Sequence, residues 1–273
     1  MSQLPSFSYQ QATVLYSGGT DSTLAAVKML DQCRKVTLLT LDPGFIFFVD
    51  NSTRHAEALR RVYGEDRVEH KIVLIREEIR EVLFGDVRKD LGRYGFDMTA
   101  LVCMGCRLSM HTRAIIHNLE NGIPVLADGS IQKQDAIPEQ RPQVLSSNRE
   151  LYFQRYGIRH LSPIYEEDRS DVRLEELGIA ARRGLKRQFI FFETQATCPF
   201  GVTADVYARM FYKPLMGDST NGQSVGYCRE KHPLMHGAIE RYFERKGVAL
   251  QPLVDRLKEQ HRAMQEGEAD GGR

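Results

Sequence analysis

Apolar and polar positions follow two different periods along the first half of the chain. Short, nearly continuous apolar runs are typical of strands buried on both faces of a parallel sheet, and they alternate with segments whose apolar positions recur every three or four residues, as in amphipathic helices. A first strand is predicted at the apolar run Val14-Leu15-Tyr16, before the first helix. The elements predicted after that helix are strands 36–41, 70–75 and 123–127 and helices 52–63, 76–90 and 108–120. The pattern predicts a doubly wound parallel α/β sheet.

Beyond residue 130 the strand signal weakens and helical spacing dominates. The predicted elements there are helices 148–157, 171–177, 233–246 and 250–264, with a short extended piece at 161–164. We therefore expect an α/β domain over residues 1–165 and a mostly helical region over 166–265. A glycine-containing tail, residues 266–273, is predicted to be disordered.

The first strand runs directly into Ser17-Gly18-Gly19-Thr20-Asp21-Ser22, which is followed by a helical pattern. Such a turn directs backbone N–H groups and the positive end of a helix at one point, and glycine lets an anion approach closely. Asp21 would repel a bare phosphate, so it suggests a bridging Mg²⁺ or a positioning role. The spacing matches neither the G-x-x-x-x-G-K-[ST] loop nor G-x-G-x-x-G. An ordinary strand-to-helix turn is the alternative interpretation.

Cysteines form the second candidate site. Cys103 and Cys106 have the C-x-x-C spacing that lets two thiolates bind one metal or cluster, and we expect the loop between them to offer backbone N–H groups to the sulfurs. Cys198 lies in a turn-like Cys-Pro-Phe-Gly segment, and Cys228 is a candidate fourth thiolate. Three thiolates would leave one iron of a [4Fe–4S] cluster open, whereas four would complete a structural zinc site. The same cysteines also fit dithiol or persulfide chemistry, or no special role at all. Cys33 is predicted to be a packed core thiol.

The composition of the chain says little about which classes of partner it binds. With 37 basic and 36 acidic residues the net charge is +1, so attraction to nucleic acid would need a local patch. The candidates for such a patch are Arg182, Arg183, Lys186 and Arg187, with Arg155, Arg159 and His160; a solvated helix face is the alternative. No leader pattern and no 18-residue apolar run occurs, and the cysteine count is odd, so we expect a cytoplasmic protein in a reducing compartment.

The loop at residues 17–22 resembles the S-G-G-x-D-S pyrophosphate loop of the PP-loop (N-type) ATP pyrophosphatases, in the adenine nucleotide alpha-hydrolase-like (HUP) superfamily. The resemblance implies the HUP fold and ATP with Mg²⁺ as ligands. It also implies cleavage of ATP between the α- and β-phosphates, with adenylation of a carbonyl or carboxylate oxygen. By the same resemblance, the pyrophosphate end of ATP is bound by Ser17, Gly18, Gly19, Asp21 and Ser22. The resemblance also implies a contact with the adenosine for Asp42, which ends the second strand before Pro43-Gly44; a turn-forming role is the alternative.

The cysteine motif followed by a strand and Asp128-Gly129 resembles the order in the PP-loop sulfur transferases, both the tRNA thiolases and the sacrificial sulfur transferases. In this chain the segment departs from the D-G-T-N-x-D-D pattern, since Ser130 replaces Thr and the spacing to Asp135 is longer. The resemblance implies Asp128 and Gly129 beside the nucleotide, and Cys103, Cys106 and Cys198 as ligands of a [4Fe–4S] cluster, with Zn²⁺ as the alternative. Asp21 and Cys198 become the predicted catalytic residues.

The function predicted from this resemblance is an ATP-dependent adenylating sulfur transferase. Its expected partners are a tRNA or small-molecule acceptor and a sulfur donor such as a cysteine desulfurase or free sulfide, and a homodimer is compatible with it. A PP-loop ligase or amidotransferase-like enzyme with structural zinc is a second hypothesis. A nucleotide-binding regulatory module without turnover is the third.

Overall fold

A computed structural model describes residues 8–94, 98–134, 137–167, 170–179, 198–199 and 221–270. The strands of this part are β1 (Tyr9–Leu15), β2 (Cys33–Asp42), β3 (Val68–Leu74), β4 (Val125–Ala127) and β5 (Arg159–Leu161). The helices are α1 (Thr20–Gln32), α2 (Ser52–Tyr63), α3 (Arg76–Glu78, continued by a π-helical turn at Ile79–Leu83), α4 (Val87–Tyr94), α5 (Met98–Asn121), α6 (Pro142–Tyr156), α7 (Ser170–Glu176), α8 (Asn221–Arg245) and α9 (Leu250–Asp270). Within these residues no helix is long and apolar enough to cross a membrane.

The five strands of the described residues form one parallel sheet in the order β3-β2-β1-β4-β5. The chain leaves β1 toward β2 on one side and later enters β4 on the other side of β1. The strand order therefore reverses between β1 and β4, and this reversal is where open α/β sheets bind ligands beyond the carboxyl ends of their strands. The fold class predicted from the sequence, a doubly wound parallel α/β sheet with a helical C-terminal region, is confirmed.

Each face of the sheet packs on its own set of helices. Val14 and Leu38 point toward α1, α2 and α7, where they join Leu24 in one apolar cluster. Leu39 and Leu126 point to the opposite face and join a second cluster, to which α5, α6, α8 and α9 contribute. Both faces of the central strands are therefore buried, which explains why these strands have nearly continuous apolar sequences rather than an alternating pattern.

The helix that carries the cysteine motif is longer than the sequence predicted. α5 begins at Met98 and not near residue 108, so Cys103 and Cys106 lie inside a helix and not in a loop. Backbone N–H groups inside a helix bond to carbonyls one turn earlier, so the predicted donation of loop amides to the two sulfurs is wrong. A spacing of three residues instead places the two thiols about one helical turn apart, at neighbouring positions on one face of α5.

Two other helices are longer than predicted, one at its start and one at its end. α8 begins at Asn221, twelve residues before Pro233, which lies inside it. α9 continues to Asp270, past residue 266 where the sequence predicted a disordered tail. Both helices pack against α5 or α6, so the helical C-terminal region is attached to the face of the sheet that carries the cysteine motif.

Candidate nucleotide and thiol site

A cavity of about 330 Å³ opens beyond the carboxyl ends of β1, β2 and β4. Its walls come from the β1–α1 loop, the end of β2 with Ile46 beyond it, helix α5, the segment between β4 and α6, and Cys198. The lining residues include Ser17, Gly19, Thr20, Asp21, Ser22, Leu39, Thr40, Leu41, Ile46, Arg107, Met110, Asp128, Gly129, Gln134, Gln140 and Cys198. The predicted phosphate loop and the predicted thiol Cys198 thus face one space, although they are far apart in the chain.

The β1–α1 loop is held closed by the hydroxyl groups of its two serines. The Ser17 backbone N–H donates to Ser22 Oγ at 3.3 Å, and the two hydroxyl oxygens lie 3.1 Å apart. Ser22 Oγ donates in turn to the Gly19 carbonyl at 3.1 Å. Gly18 has a φ of +79°, a conformation that glycine adopts without steric cost. The loop therefore has the tight shape that its sequence predicts.

The amino end of α1 is directed at this cavity. Gly19 is the N-cap residue, with extended backbone and no side chain capping the helix. The first N–H groups of a helix have no intrahelical acceptor, and the helix dipole adds partial positive charge at the same end. Thr20, Asp21 and Ser22 of this first turn all line the cavity. The arrangement suits an anion, with one acidic residue beside it.

Two residues outside the loop fix its position. His55, on α2, donates a hydrogen bond from Nδ1 to the Gly18 carbonyl at 2.7 Å. Burial lowers the pKa of His55, although the bond to Gly18 raises it, so the imidazole is neutral at pH 7. Gly129, after β4, packs on the loop from the other side: a Cβ there would lie 2.8 Å from the Ser22 nitrogen and 2.9 Å from the Asp21 carbonyl carbon.

A buried hydrogen-bond network lies next to the loop, and Arg107 on α5 is its centre. Arg107 donates from Nη2 to Asp128 Oδ2 at 2.7 Å and to Ser130 Oγ at 3.1 Å, and from Nε to His111 Nε2 at 3.0 Å. His160, on β5, lies 2.8 Å from the same Asp128 oxygen. Burial by itself raises the pKa of Asp128, but the Arg107 guanidinium and His160 beside it outweigh that effect and hold the pKa well below its usual range.

Hydrogen-bond direction defines the protonation of His111. Because Arg107 Nε–H can only donate, His111 Nε2 must accept, which places the imidazole proton on Nδ1, 2.7 Å from Tyr152 Oη. Burial, and then the Arg107 charge, keep the pKa of His111 well below its ordinary value, in agreement with a neutral ring. The polar residues of α5 are therefore arranged to fix the Arg107 side chain.

A single metal ion fits this network poorly. Among the described residues, His111, Asp128 and His160 form the one group of three or more His, Cys, Asp or Glu side chains whose ligand atoms come close enough for one ion. However, Arg107 donates to both His111 and Asp128, so a cation there would displace those bonds and lie beside a guanidinium. We therefore interpret the group as a hydrogen-bond network around Arg107.

Asp42 does not line the cavity; its neighbours Leu39, Thr40 and Leu41 do. Its carboxylate accepts a hydrogen bond from the Gly44 N–H at 2.7 Å, the arrangement of a turn-forming Asp. This geometry favours the turn interpretation, and the contact with adenosine stays a prediction. If a nucleoside binds here, the backbone and apolar side chains at the end of β2 are better placed to meet it.

The predicted cysteine ligands occupy different depths around the cavity. Cys198 lines it, whereas Cys106 and Cys103 do not; Cys106 is buried, and Cys103 is half-buried one helical turn earlier on α5. Burial raises the pKa of the Cys106 thiol to about 12, with Cys198 and Glu139 nearby adding to the rise. Cys106 and Cys198 are thus within electrostatic range of each other. Cys228, on α8, is also buried, and burial together with Glu139 raises its pKa to about 12.

Glu139 is the acidic group in this thiol-rich region. Its Oε2 is buried without a hydrogen-bond partner, and burial raises the pKa of the carboxyl group. The charge of this carboxyl group acts on both the Cys106 and the Cys228 thiols, a relationship that sequence reasoning did not anticipate. Asp135 and the basic residues 182–187 lie outside the described residues. His160, a candidate for a basic patch from the sequence, is buried in the Arg107 network and cannot contribute to one.

Sequence reasoning did not identify Arg107, His111, His55 or Glu139 as site residues. Arg107 directly follows Cys106, and His111 lies four residues later, so a helix across the motif would have placed both on one face. The prediction of a loop at the motif hid that relationship. His55 carries no local signal, because its partner is a backbone carbonyl 37 residues away in the chain.

Comparisons with other proteins identify a family and a similar solved structure. The model of a family of unknown function, DUF7411, matches residues 10–175. The crystal structure of a predicted subunit of tRNA methyltransferase from Methanocaldococcus jannaschii is similar, with a TM-score of 0.40 and 17% sequence identity. The match covers 62% of this chain and 75% of that one. No curated protein matches the chain significantly.

Proposed function

The chain belongs to the DUF7411 family, and from the geometry of its site we propose that it is an ATP-dependent, AMP-forming transferase that adenylates an oxygen atom and replaces it with sulfur. One observation carries the proposal: the uncapped amino end of α1 and the Cys198 thiol line the same cavity at the strand-order reversal. An anion site and a thiol that can hold the donor's sulfur in one space are what such a reaction requires.

The first step is activation of the acceptor. A carbonyl or carboxylate oxygen attacks the α-phosphorus of ATP, the bond from that phosphorus to the bridging oxygen breaks, and pyrophosphate leaves with the electron pair. Ser17, Gly18, Gly19 and Ser22 would hold the pyrophosphate through backbone N–H and hydroxyl groups. Asp21 would hold Mg²⁺ or position the phosphates, since a carboxylate is a preferred Mg²⁺ ligand.

The second step replaces oxygen by sulfur. A sulfur nucleophile attacks the adenylated carbon, the carbon–oxygen bond breaks, and AMP leaves with the oxygen and the bonding electrons. The attacking sulfur is a sulfide supplied by the donor. Cys198 is the thiol that lines the cavity, so we expect its thiolate to help hold that sulfide beside the adenylated carbon without being consumed. In this proposal residues 1–165 bind the nucleotide, with Asp128 and Gly129 beside it, and residues 166–265 complete the cysteine site.

A [4Fe–4S] cluster is compatible with the cysteine arrangement. Cys103 and Cys106 occupy neighbouring turns of α5, the Cys198 thiol is within electrostatic range of Cys106, and all three are thiols rather than disulfides. Thiolates that bind different irons of one cluster stand farther apart than the ligands of a single ion, so the absence of cysteine from the His111, Asp128 and His160 group does not bear on a cluster. Bound by Cys103, Cys106 and Cys198, a cluster would supply an open iron position for sulfide.

The second hypothesis, a ligase with structural zinc in the cysteines, has less support. A zinc site needs its ligand atoms close together around one ion. Among the described residues, the one group of potential ligands that close together is His111, Asp128 and His160, which contains no cysteine. The acceptor of the proposed reaction is a tRNA or a small carbonyl compound, and the activity measurements use both.

Pyrophosphate release from Mg·ATP tests the first step. The wild-type protein should release pyrophosphate when acceptor is present, and Asp21→Ala should release at least about 10-fold less, as expected for loss of a positioned charge in a phosphoryl-transfer site. Asp31→Ala is the matched control, because Asp31 is in the last turn of the same helix and contacts Tyr63. No pyrophosphate release with bulk tRNA or with small carbonyl compounds would favour the third hypothesis, a module without turnover.

Sulfur transfer tests the second step. With sulfide or a cysteine desulfurase as donor, Cys198→Ala should still bind ATP but transfer no sulfur, because the loop and the thiol perform separate steps. Cys33→Ala is the control, since Cys33 is buried in the core cluster on the other face of the sheet. Full sulfur transfer by Cys198→Ala would contradict the proposed role.

A further inference from the structure

The phosphate loop leaves one electrostatic requirement unmet. ATP brings several negative charges, and the loop offers backbone N–H groups and hydroxyls but no cationic side chain. Among the described residues that line the cavity, Arg107 is the one cationic side chain. It is mostly buried, with 22% of its side chain exposed, so its charge is poorly screened by water.

The guanidinium is held in a fixed orientation. Nη2 is bonded to Asp128 and Ser130, and Nε is bonded to His111. No described residue takes a hydrogen bond from Nη1, which leaves this nitrogen as a donor. An arginine whose other nitrogens are fixed loses little conformational entropy when it binds an anion.

Asp128 itself has little capacity left for a ligand. Its Oδ1 accepts from the Ser130 N–H at 3.0 Å, and its Oδ2 accepts from Arg107 and His160. Its side chain is 1% exposed. A carboxylate so occupied is poorly placed to bind Mg²⁺ or a ribose, but it is well placed to hold the guanidinium of Arg107.

The network is also tied to the phosphate loop. Gly129, next to Asp128, packs against the backbone of Asp21 and Ser22. The segment 128–130, which orients Arg107 through Asp128 and Ser130, therefore also contacts, through Gly129, the loop that we expect to bind pyrophosphate.

From these contacts we propose that Arg107 binds the phosphate chain of the nucleotide directly, and that Asp128 is a positioning residue that acts through Arg107. The inference rests on the proposed function. Arg107 supplies the positive charge that the loop lacks, and Asp128, Ser130 and His111 hold its guanidinium toward the cavity.

Calorimetric titration with Mg·ATP, pyrophosphate, AMP and adenosine tests the role of Arg107. Arg107→Met should weaken ATP binding by about 10- to 100-fold, as expected for a charge-assisted hydrogen bond. Pyrophosphate, AMP or both should weaken with it, whereas adenosine affinity should stay within about twofold, because adenosine has no phosphate. Arg113→Met is the matched control on the same helix: Arg113 pairs with Glu78 outside the cavity, and its variant should bind all four ligands as the wild type does.

A double-mutant cycle tests the role of Asp128. Asp128→Asn should weaken ATP binding in the wild-type background and cause no further loss in the Arg107→Met background, because a residue that acts only through Arg107 has no effect without it. Additive losses would show a direct ligand role and overturn that part of the proposal. If Arg107→Met does not fold, Arg107→Gln replaces it, since its amide can still donate to Asp128 while the charge is removed.

The outcomes separate this inference from the proposed function. If the wild-type protein binds none of ATP, pyrophosphate or AMP, the proposed function fails and this inference fails with it. If the wild type binds ATP and the Arg107 variants bind it equally well, the Arg107 proposal alone is overturned. A parallel loss of phosphate and adenosine binding would indicate a structural role for Arg107 and also overturn it.

Discussion

Gly129 lies directly against the backbone of Ser22, so that a Cβ at position 129 would stand 2.8 Å from the Ser22 amide nitrogen. This contact joins the turn after β4 to the first turn of α1 at the strand-order reversal. Atoms this close can separate only if a backbone moves, since neither partner is the flexible end of a side chain. The β1–α1 loop therefore depends for its position on a glycine more than a hundred residues later.

Gly129→Ala should displace this loop. We expect a loss of about 1–3 kcal/mol in the free energy of unfolding, typical of overpacking, and ATP affinity should fall with it. Gly92→Ala is the matched control, because Gly92 lies in α4 and a Cβ there meets nothing within 4 Å. In a helix that change should be neutral or stabilising by up to about 1 kcal/mol. Chemical denaturation and calorimetry measure both, and normal ATP binding by Gly129→Ala would contradict the expectation.

Cys106 should be needed for any iron–sulfur centre. Anaerobic reconstitution with iron and sulfide should give the wild type a brown colour and bound iron, and Cys106→Ala should lose most of the iron, because thiolates hold such clusters. Cys33→Ala should retain it, since Cys33 is also buried but lies in the other core cluster. Metal analysis decides the matter; stoichiometric zinc without iron in the wild type would instead favour the zinc hypothesis.

His232 should make the protein less stable in acid. Burial, followed by the charges of Arg229 and Arg155, lowers the pKa of His232 to about 4, and its Nε2–H donates to Asn148 at 3.1 Å. A lowered folded pKa means that the unfolded chain binds more protons below about pH 6.5, so this stability is complete above pH 6.5 and is lost as the pH falls toward 4.

Replacing His232 should reduce that pH dependence. Between pH 7 and pH 4.5 the His232 contribution is about 2 kcal/mol, so His232→Gln should lose that much less stability over this interval than the wild type. Urea denaturation at the two pH values measures the difference. An equal loss in the variant and the wild type would show that His232 titrates normally in the folded state.

The buried ion pair between Lys231 and Asp90 should be sensitive to removal of one partner. Lys231 is 1% exposed, its ammonium group contacts the Asp90 carboxylate, and it lies 5.4 Å from the centre of the Tyr227 ring. Lys231→Met leaves a buried carboxylate without its partner, which should cost about 3–5 kcal/mol. Changing both residues, Lys231→Met with Asp90→Leu, should recover much of that loss.

An exposed pair gives the matched control for this prediction. Arg245 and Glu77 form an ion pair in which both side chains are more than half exposed. Arg245→Met should cost less than about 1 kcal/mol, because water screens surface pairs. Equal losses for Lys231→Met and Arg245→Met in urea denaturation would contradict the buried-pair interpretation.

The local sequence predicted the bounds of a helix or strand well where those bounds depend on the hydrophobic pattern of that element alone. Helix α2, Ser52–Tyr63, has the predicted bounds, and β2 covers the predicted strand. The prediction failed at α5, where Gly105 and two cysteines suggested a loop. There the chain stays helical because Met104 and Leu108 are buried in the core, and Gly105 packs so closely that a Cβ would lie 2.4 Å from Leu83 Cδ1.

Helix α8 shows the same effect of packing. Pro233 predicted a helix start, since proline is favoured in the first turn. In the structure α8 begins twelve residues earlier, because Tyr227 and Cys228 before the proline and Met235 and Ile239 after it are buried in the same apolar cluster. Burial on both sides of Pro233 outweighs the hydrogen bond that the proline cannot make.

The sequence by itself determined the alternation of strands and helices and the strand–loop–helix unit at residues 14–26. Both depend on periods and glycine positions that are complete within a short segment. Only the tertiary structure decided that Arg107, Asp128 and His160 form one network and that Cys198 shares a cavity with the β1–α1 loop. Arg107 is 21 residues from Asp128, and Asp128 is 32 residues from His160. Such contacts arise when parallel strands bring their carboxyl ends to one edge of the sheet, and no local pattern encodes which side chains then meet.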